Sequence, residues 1–207
     1  MKNIIRDAVI LFLITAIAGV LLAVVNEVTK EPIAAQQAAA KEEACRSVFP
    51  GEGYTFSLID NLAEDAKGIA DWQETYGNNN SVKAVHTVQD AAGTLMGYVI
   101  TVSNNEGYGG NVVFSMGITL DKVLNGISIL ETSETVGLGL EAEKVLAPQF
   151  AGKQVDAFSY TKTGSLNDSE VDAISSATIS TNAYVNGVNA GLAYFDLLLE
   201  NGGAANE

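Results

Sequence analysis

Residues 97–131, GYVITVSNNEGYGGNVVFSMGITLDKVLNGISILE, decide the fold. Three β-branched runs, Gly97–Ser103, Val112–Thr119 and Gly126–Glu131, are separated by the Asn104–Gly110 stretch and by Asp121–Asn125. Runs of this kind read as strands and the Gly-, Asn- and Asp-rich breaks as turns. A parallel crossover needs a dozen or more residues, so connections this short predict an antiparallel meander. Upstream, Val82–Val88 adds a strand across the turn Asp90-Ala91-Ala92-Gly93. His86 falls in that strand, where a surface or core role is commoner than catalysis. Residues 51–81 read as loop, ending in Gly77-Asn78-Asn79-Asn80-Ser81, and the chain has no internal repeat.

Downstream, Glu141–Phe150 is expected to be helical and Gln154–Tyr160 to be another strand. Val185, Val188, Leu192, Phe195 and Leu199 follow spacings of 3, 4, 3 and 4, one apolar face of a helix. Ser180 is its expected N-cap and Gly202-Gly203 its stop.

At the other end, Ala8 to Val25 is an 18-residue run without a charge, AVILFLITAIAGVLLAVV, extended by Ile4 and Ile5 around Arg6-Asp7. About 22 helical residues cover about 33 Å, close to the hydrocarbon core of a bilayer. A buried soluble helix and a cleaved signal peptide are the rivals, but a signal's apolar core is usually shorter and a small-residue cleavage site follows it. Here Ala16-Ile17-Ala18 lies inside the run. Cys45 has no apolar run before it, which disfavours a lipoprotein anchor. Lys2 and Arg6 precede the span, so the N-terminus is expected in the cytoplasm and the bulk outside, as a single-pass protein of the plasma (inner) membrane. Asn26–Val48 reads as a separate juxtamembrane helix starting near Pro32 and stopped by Pro50-Gly51. The expected organisation is an N-terminus and transmembrane helix over 1–25, a juxtamembrane helix or linker over 26–50, and a domain over 51–207. The fold class is α+β: one transmembrane helix, then one extracytoplasmic domain with a mostly antiparallel sheet and flanking helices.

Composition excludes much chemistry. The 11 Lys+Arg and 25 Asp+Glu give a formal charge of −14, which repels phosphate backbones and argues against a nucleic-acid partner. One Cys and one His leave no intrachain disulfide, no Cys-built metal site and no conventional His relay. Cys45, without a basic cluster around it, reads as a packing residue.

The chemistry-bearing segment is Asp172-Ala173-Ile174-Ser175-Ser176-Ala177-Thr178-Ile179-Ser180-Thr181. Five hydroxyls in the seven residues from Ser175 to Thr181 open the last helix. Physically this is either an elaborate cap, the commoner use, or an anion site built from unpaired N–H groups and hydroxyls. Two glycine loops lie upstream, Glu106-Gly107-Tyr108-Gly109-Gly110-Asn111 and Glu131-Thr132-Ser133-Glu134-Thr135-Val136-Gly137-Leu138-Gly139. Glycines allow close approach to a flat ligand and Tyr108 could stack on one. Neither loop is a Walker or Rossmann motif, and as turns they need no function.

Asp172-Ala173-Ile174-Ser175-Ser176-Ala177-Thr178 resembles the flavinylation motif of the FMN-binding domain family, Asp-x-x-Ser/Thr-Gly/Ser-Ala-Thr. The family commonly carries a Tyr-Gly-Gly segment and a Glu-Thr-Pro-Gly-Leu-Gly loop. This chain has Tyr108-Gly109-Gly110 and Glu134-Thr135-Val136-Gly137-Leu138-Gly139, with Val136 in place of Pro and Ser176 in place of the commoner Gly. Motif order, motif spacing and the single span are similar to the RnfG component of Rnf electron-transport complexes. A relative is the NqrC component of sodium-pumping NADH:quinone reductases. The resemblance covers essentially the whole chain, most closely residues 82–200.

It implies FMN held by a phosphoester to Thr178, installed by a flavin transferase that takes FMN from FAD. The residues it places around the cofactor are Tyr108, Gly109, Gly110, Glu134, Thr135, Gly137, Leu138, Gly139, Ser175, Ser176 and Ala177, with Asp172 as a recognition element for the transferase. It further implies an electron carrier rather than a complete enzyme. Its partners are the other membrane subunits of an Rnf-type complex and the lipid bilayer. That complex couples electron transfer between ferredoxin and NAD to sodium or proton export. The span has no central ionisable residue, so an ion path belongs to other subunits. Three rivals remain at this point: an NqrC-like quinone-reductase component, a flavin-free anchored binding module, and a serine hydrolase using Ser175 or Ser176. The last lacks the groups that activate a nucleophile.

Overall fold

The computed structural model describes residues 2–59 and 68–201. The chain divides into a unit of residues 1–42 and a unit of residues 43–207.

The first unit is helical. Helix α1 runs from Lys2 to Val48, 47 residues, with Pro32 inside it, and so spans about 70 Å. Its stretch from Ile4 is long and apolar enough to cross a membrane. The sequence predicts two helices here, and the structure has one. Pro32 removes one N–H bond and crowds the preceding turn, a local cost of about 3 kcal/mol. No glycine stands beside it, and Ala34-Ala35-Gln36-Gln37-Ala38-Ala39-Ala40 beyond it are strong helix formers that carry the helix on.

The second unit is built on the meander. Strands β1 (Thr55–Leu58), β2 (Asn80–Gln89), β3 (Leu95–Gly107), β4 (Gly110–Thr119) and β5 (Leu124–Thr132) pair in that order, and every pairing is antiparallel. Alternation along the strands puts Tyr98, Ile100, Val102, Phe114, Met116 and Ile118 in one buried cluster with helix α5 (Thr178–Glu200). Two glycines seat that helix. A Cβ at Gly187 would lie 2.9 Å from the Phe114 ring, and one at Gly191 would lie 2.1 Å from the Met116 sulfur. Val185, Val188, Leu192 and Phe195 are buried as the periodicity predicts, whereas Leu199 is exposed.

On a second, smaller cluster, Cys45, Val48 and Phe49 pack with Val88 and Val99. The landing is possible because Gly117 is bare: a Cβ there would fall 2.3 Å from the Val48 carbonyl oxygen.

Some elements differ from the sequence reading. Residues 51–81 contain β1 and helix α2 (Ile69–Thr75). Both are too short for periodicity to reveal, and tertiary contacts hold them. Trp72 donates its indole N–H to the Ala190 carbonyl at 3.0 Å, and its ring meets Tyr194 edge-on at 5.5 Å. Glu141–Phe150 is broken into a 3-10 turn at Gly139–Glu141, helix α3 (Ala142–Val145) and helix α4 (Ala147–Phe150). Pro148 cannot donate back to Lys144, which ends the first helix. The strand expected over Gln154–Tyr160 shrinks to β6 (Ser159–Thr161), which pairs in parallel with β7 (Glu170–Asp172). The stop expected at Gly202-Gly203 lies outside the described residues.

Candidate functional site

Helix α5 begins at Thr178, two residues before the expected cap. Ser180 is instead buried in the first turn. The start is set by Thr181, which is fully buried. Its hydroxyl accepts the Ile174 N–H at 3.1 Å and donates to the Ala177 carbonyl at 2.9 Å. The Ala177 N–H closes a turn onto the Ile174 carbonyl at 3.0 Å. Ser176 is the third residue of that turn and has φ 61. The Thr181 N–H makes a helical bond to the Ala177 carbonyl at 2.9 Å. The N–H groups of Thr178, Ile179 and Ser180 precede it and have no partner within the helix.

Two loops face this helix start. In the first, the Thr135 carbonyl accepts the Leu138 N–H at 3.1 Å and the Leu140 N–H at 3.2 Å. Gly137 supplies the φ of 75 that the third position of this turn takes. The second is the hairpin tip between β3 and β4, where Gly107 pairs with Gly110 and Tyr108 and Gly109 turn. The strands therefore extend into what the sequence presents as a longer break. A Cβ at Gly109 would fall 2.0 Å from the Ser133 carbonyl oxygen, so the tip rests on the backbone that leads into Glu134. Behind the tip, the Glu106 carboxylate accepts from Asn79 at 3.0 Å, Asn104 at 3.1 Å and Asn186 of α5 at 2.7 Å.

Between these elements lies a cleft of about 510 Å³. Tyr108 lines it from the hairpin, Glu134, Thr135 and Leu138 from the loop, and the run from Ser176 to Ser180 from the helix start. Tyr108 is 70% exposed and Ile179 54%, so the cleft has an apolar lip. Glu134 is only 7% exposed, and neither of its carboxylate oxygens meets a donor among the described residues. Beneath it, burial pushes the Tyr184 hydroxyl above the usual tyrosine range; the Thr132 hydroxyl opposes this, and the Glu134 and Glu143 carboxylates reinforce it.

The structure thus gathers Tyr108, Glu134, Thr135, Leu138, Ser176, Ala177 and Thr178 around one space. Gly109, Gly110, Gly137 and Gly139 shape the loops around it rather than lining it. Ser175 is exposed outside it. Asp172 is also outside, where its Oδ1 accepts the Ser165 N–H at 2.8 Å and Gln149 grips its backbone N–H at 2.6 Å and carbonyl at 3.2 Å. Ile179 lines the cleft without being expected there from the sequence, and Ser180, one of the five hydroxyls of the possible anion site, lines it too; once the helix begins at Thr178, both fall in its first turn. Glu106 stands at the head of a glycine loop, but its three amide partners are joined to it by no local signal in the sequence.

The arrangement fits FMN. The unpaired N–H groups and the Thr178 hydroxyl suit a phosphate, Tyr108 and Leu138 suit a flat ring, and the buried acceptor Glu134 calls for a donor from whatever fills the cleft.

Over residues 107–193 the chain matches the FMN-binding domain family, and over residues 1–48 the RnfG N-terminal region. It is 30% identical to the G subunit of the Na(+)-translocating ferredoxin:NAD(+) oxidoreductase complex of Acetobacterium woodii, covering 95% of this chain and 94% of that protein. It is 29% identical to the G subunit of the ion-translocating oxidoreductase complex of Methanosarcina acetivorans, covering 93% of this chain and 95% of that one. The crystal structure of Shewanella oneidensis NqrC has the same fold, with a TM-score of 0.50 at 17% identity over 75% of this chain and 88% of that one.

Proposed function

Because the chain belongs to the RnfG family of ion-translocating oxidoreductase complexes, we propose that it is the membrane-anchored FMN carrier of such a complex. In this reading the complex couples ferredoxin:NAD electron transfer to sodium or proton export. The observation that carries it is Thr178, the first residue of α5, opening onto the same cleft as Tyr108, Glu134 and Leu138. Bound FMN would supply reversible redox chemistry at a potential set by its surroundings.

The residues divide the work. Thr178 is the attachment point: its hydroxyl oxygen bonds the FMN phosphorus as the pyrophosphate bond of FAD breaks, and AMP leaves with the proton, on a flavin transferase. The N-terminus of α5, with its dipole and its N–H groups lacking a helical partner, would stabilise the remaining charge of such an ester. Thr181 and the Ile174–Ala177 turn hold Thr178 at the cleft mouth. Tyr108 and Leu138 would supply the apolar surfaces against which a bound ring packs. Attachment keeps the cofactor on an extracytoplasmic domain, from which a dissociated FMN could not be replaced. Helix α1 serves as the single-pass anchor, N-terminus inside, in contact with lipid and the other membrane subunits.

The match to the RnfG N-terminal region favours this family over the NqrC-like component of a quinone reductase. The deciding experiment is the intact mass of the protein co-produced with a flavin transferase, beside Thr178→Val. The expected result is a gain of one FMN less one water in the wild type alone. An unmodified wild type, with a control protein modified in the same cells, would overturn the covalent reading and favour a flavin-free binding module.

A further inference from the structure

Glu134 takes no part in attachment at Thr178, yet the fold is shaped around it. Its side chain is buried, and both Oε1 and Oε2 are without a donor among the described residues. Burying a carboxylate this way is strongly unfavourable unless something supplies a hydrogen bond. Three glycines nevertheless hold it in place. A Cβ at Gly107 would lie 2.8 Å from Oε1, one at Gly139 would lie 2.4 Å from Oε2, and one at Gly109 would lie 3.0 Å from the Glu134 Cα. A side chain at Gly107 or Gly139 would press on the carboxylate itself, and one at Gly109 on the Ser133–Glu134 backbone that carries it.

Resting on the FMN reading, we propose that Glu134 accepts the imide N3–H of the flavin ring. The donor must come from the occupant of the cleft. A phosphate belongs at the positive start of α5, and a carboxylate repels it, so Glu134 addresses another part of the ligand. Its neighbours identify that part. Tyr108 lies between Gly107 and Gly109, and Leu138 adjoins Gly139, so the surfaces suited to a flat ring flank this carboxylate. The oxidised isoalloxazine ring carries a single N–H, the imide. An anion bonded there fixes the ring's orientation and opposes added negative charge on it, which lowers the reduction potential.

The test uses the full-length protein, co-produced with a flavin transferase and loaded with FMN labelled with nitrogen-15 at N3. Wild type is compared with Glu134→Gln and Glu134→Ala, and intact mass reports the ester at Thr178 in each. The expected result is a protected N3–H resonance in the wild type, kept in Glu134→Gln through its amide oxygen. In Glu134→Ala, N3–H should exchange with solvent roughly tenfold faster or more. The potential should rise in both variants. Unchanged exchange in Glu134→Ala would overturn the assignment; should that variant fail to fold, an unchanged potential in Glu134→Gln would do so. A wild type without FMN would overturn the carrier reading itself, and the mass reveals that separately.

Discussion

Ser176 and Val136 occupy the two positions where the chain departs from its family's motifs, and the backbone explains what each departure costs. Ser176 has φ 61 at the third residue of the turn closed by Ala177 N–H and Ile174 C=O. Glycine reaches this conformation without the Cβ penalty. Ser176→Gly should therefore stabilise the protein by about 1 kcal/mol, a rise of about 2–4 °C in Tm, and on the proposed reading should leave flavinylation at Thr178 intact. Thermal unfolding together with intact mass checks both halves. Val136 is the second residue of the Thr135–Leu138 turn and is 80% exposed. The positive φ is supplied by Gly137, so the turn keeps its shape without proline. The Val136 N–H has no hydrogen-bond partner among the described residues, which makes the site compatible with a ring. Val136→Pro should add about 0.4–1 kcal/mol by restricting the unfolded chain, measurable as a shifted urea midpoint with an unchanged slope.

Among the elements, the junction of the β3–β4 hairpin with α5 depends on Glu106. Its carboxylate ties three amides from separate parts of the chain, and Asn104, fully buried, also bonds the Asn80 side chain at 2.9 Å. Asn79 is exposed and the buried Asn104 keeps Asn80 as a partner, so the loss falls mainly on the half-buried Asn186 amide, and Glu106→Ala should cost about 1–2 kcal/mol in denaturant unfolding. Because the same contact steadies the hairpin that carries Tyr108, bound flavin should also show a changed absorption spectrum. The end of α1 depends on the opposite device, an absence of side chain. Gly117→Val would push against the Val48 carbonyl and should cost about 1–3 kcal/mol. Cys45, buried in that contact, should then react faster with a thiol reagent than in the wild type.

At the scale of the whole molecule, the surplus of acid makes the half-buried Lys122 informative. Lys122 bridges Asp156 at 2.9 Å and Asp196 of α5 at 2.8 Å. Burial works to lower its pKa, but the hydrogen bonds and charges of Asp196 and Asp156 outweigh that and hold it above the ordinary lysine value. A raised folded-state pKa contributes stability that is complete below the unfolded value, about 10.4, and is lost as pH rises through the folded value. Lys122→Met should be less stable than wild type by about 1 kcal/mol at pH 7, since Asp156 and part of Asp196 are solvated. That difference should shrink above about pH 10.5, as paired melting curves would show. The sequence alone determined the antiparallel meander, the long apolar helix and the buried face of α5, because connection length and hydrophobic period are local and survive any tertiary arrangement. The motif Asp172–Thr178 was equally legible as a family resemblance. Only the tertiary structure decided that Thr178, and not Ser180, opens the helix, that Asp172 faces away to Ser165, and that Glu134 is buried beside Gly107 and Gly139 without a donor among the described residues. Those facts depend on strand register and on glycines that let distant backbones touch, and such contacts leave no periodic trace along the chain.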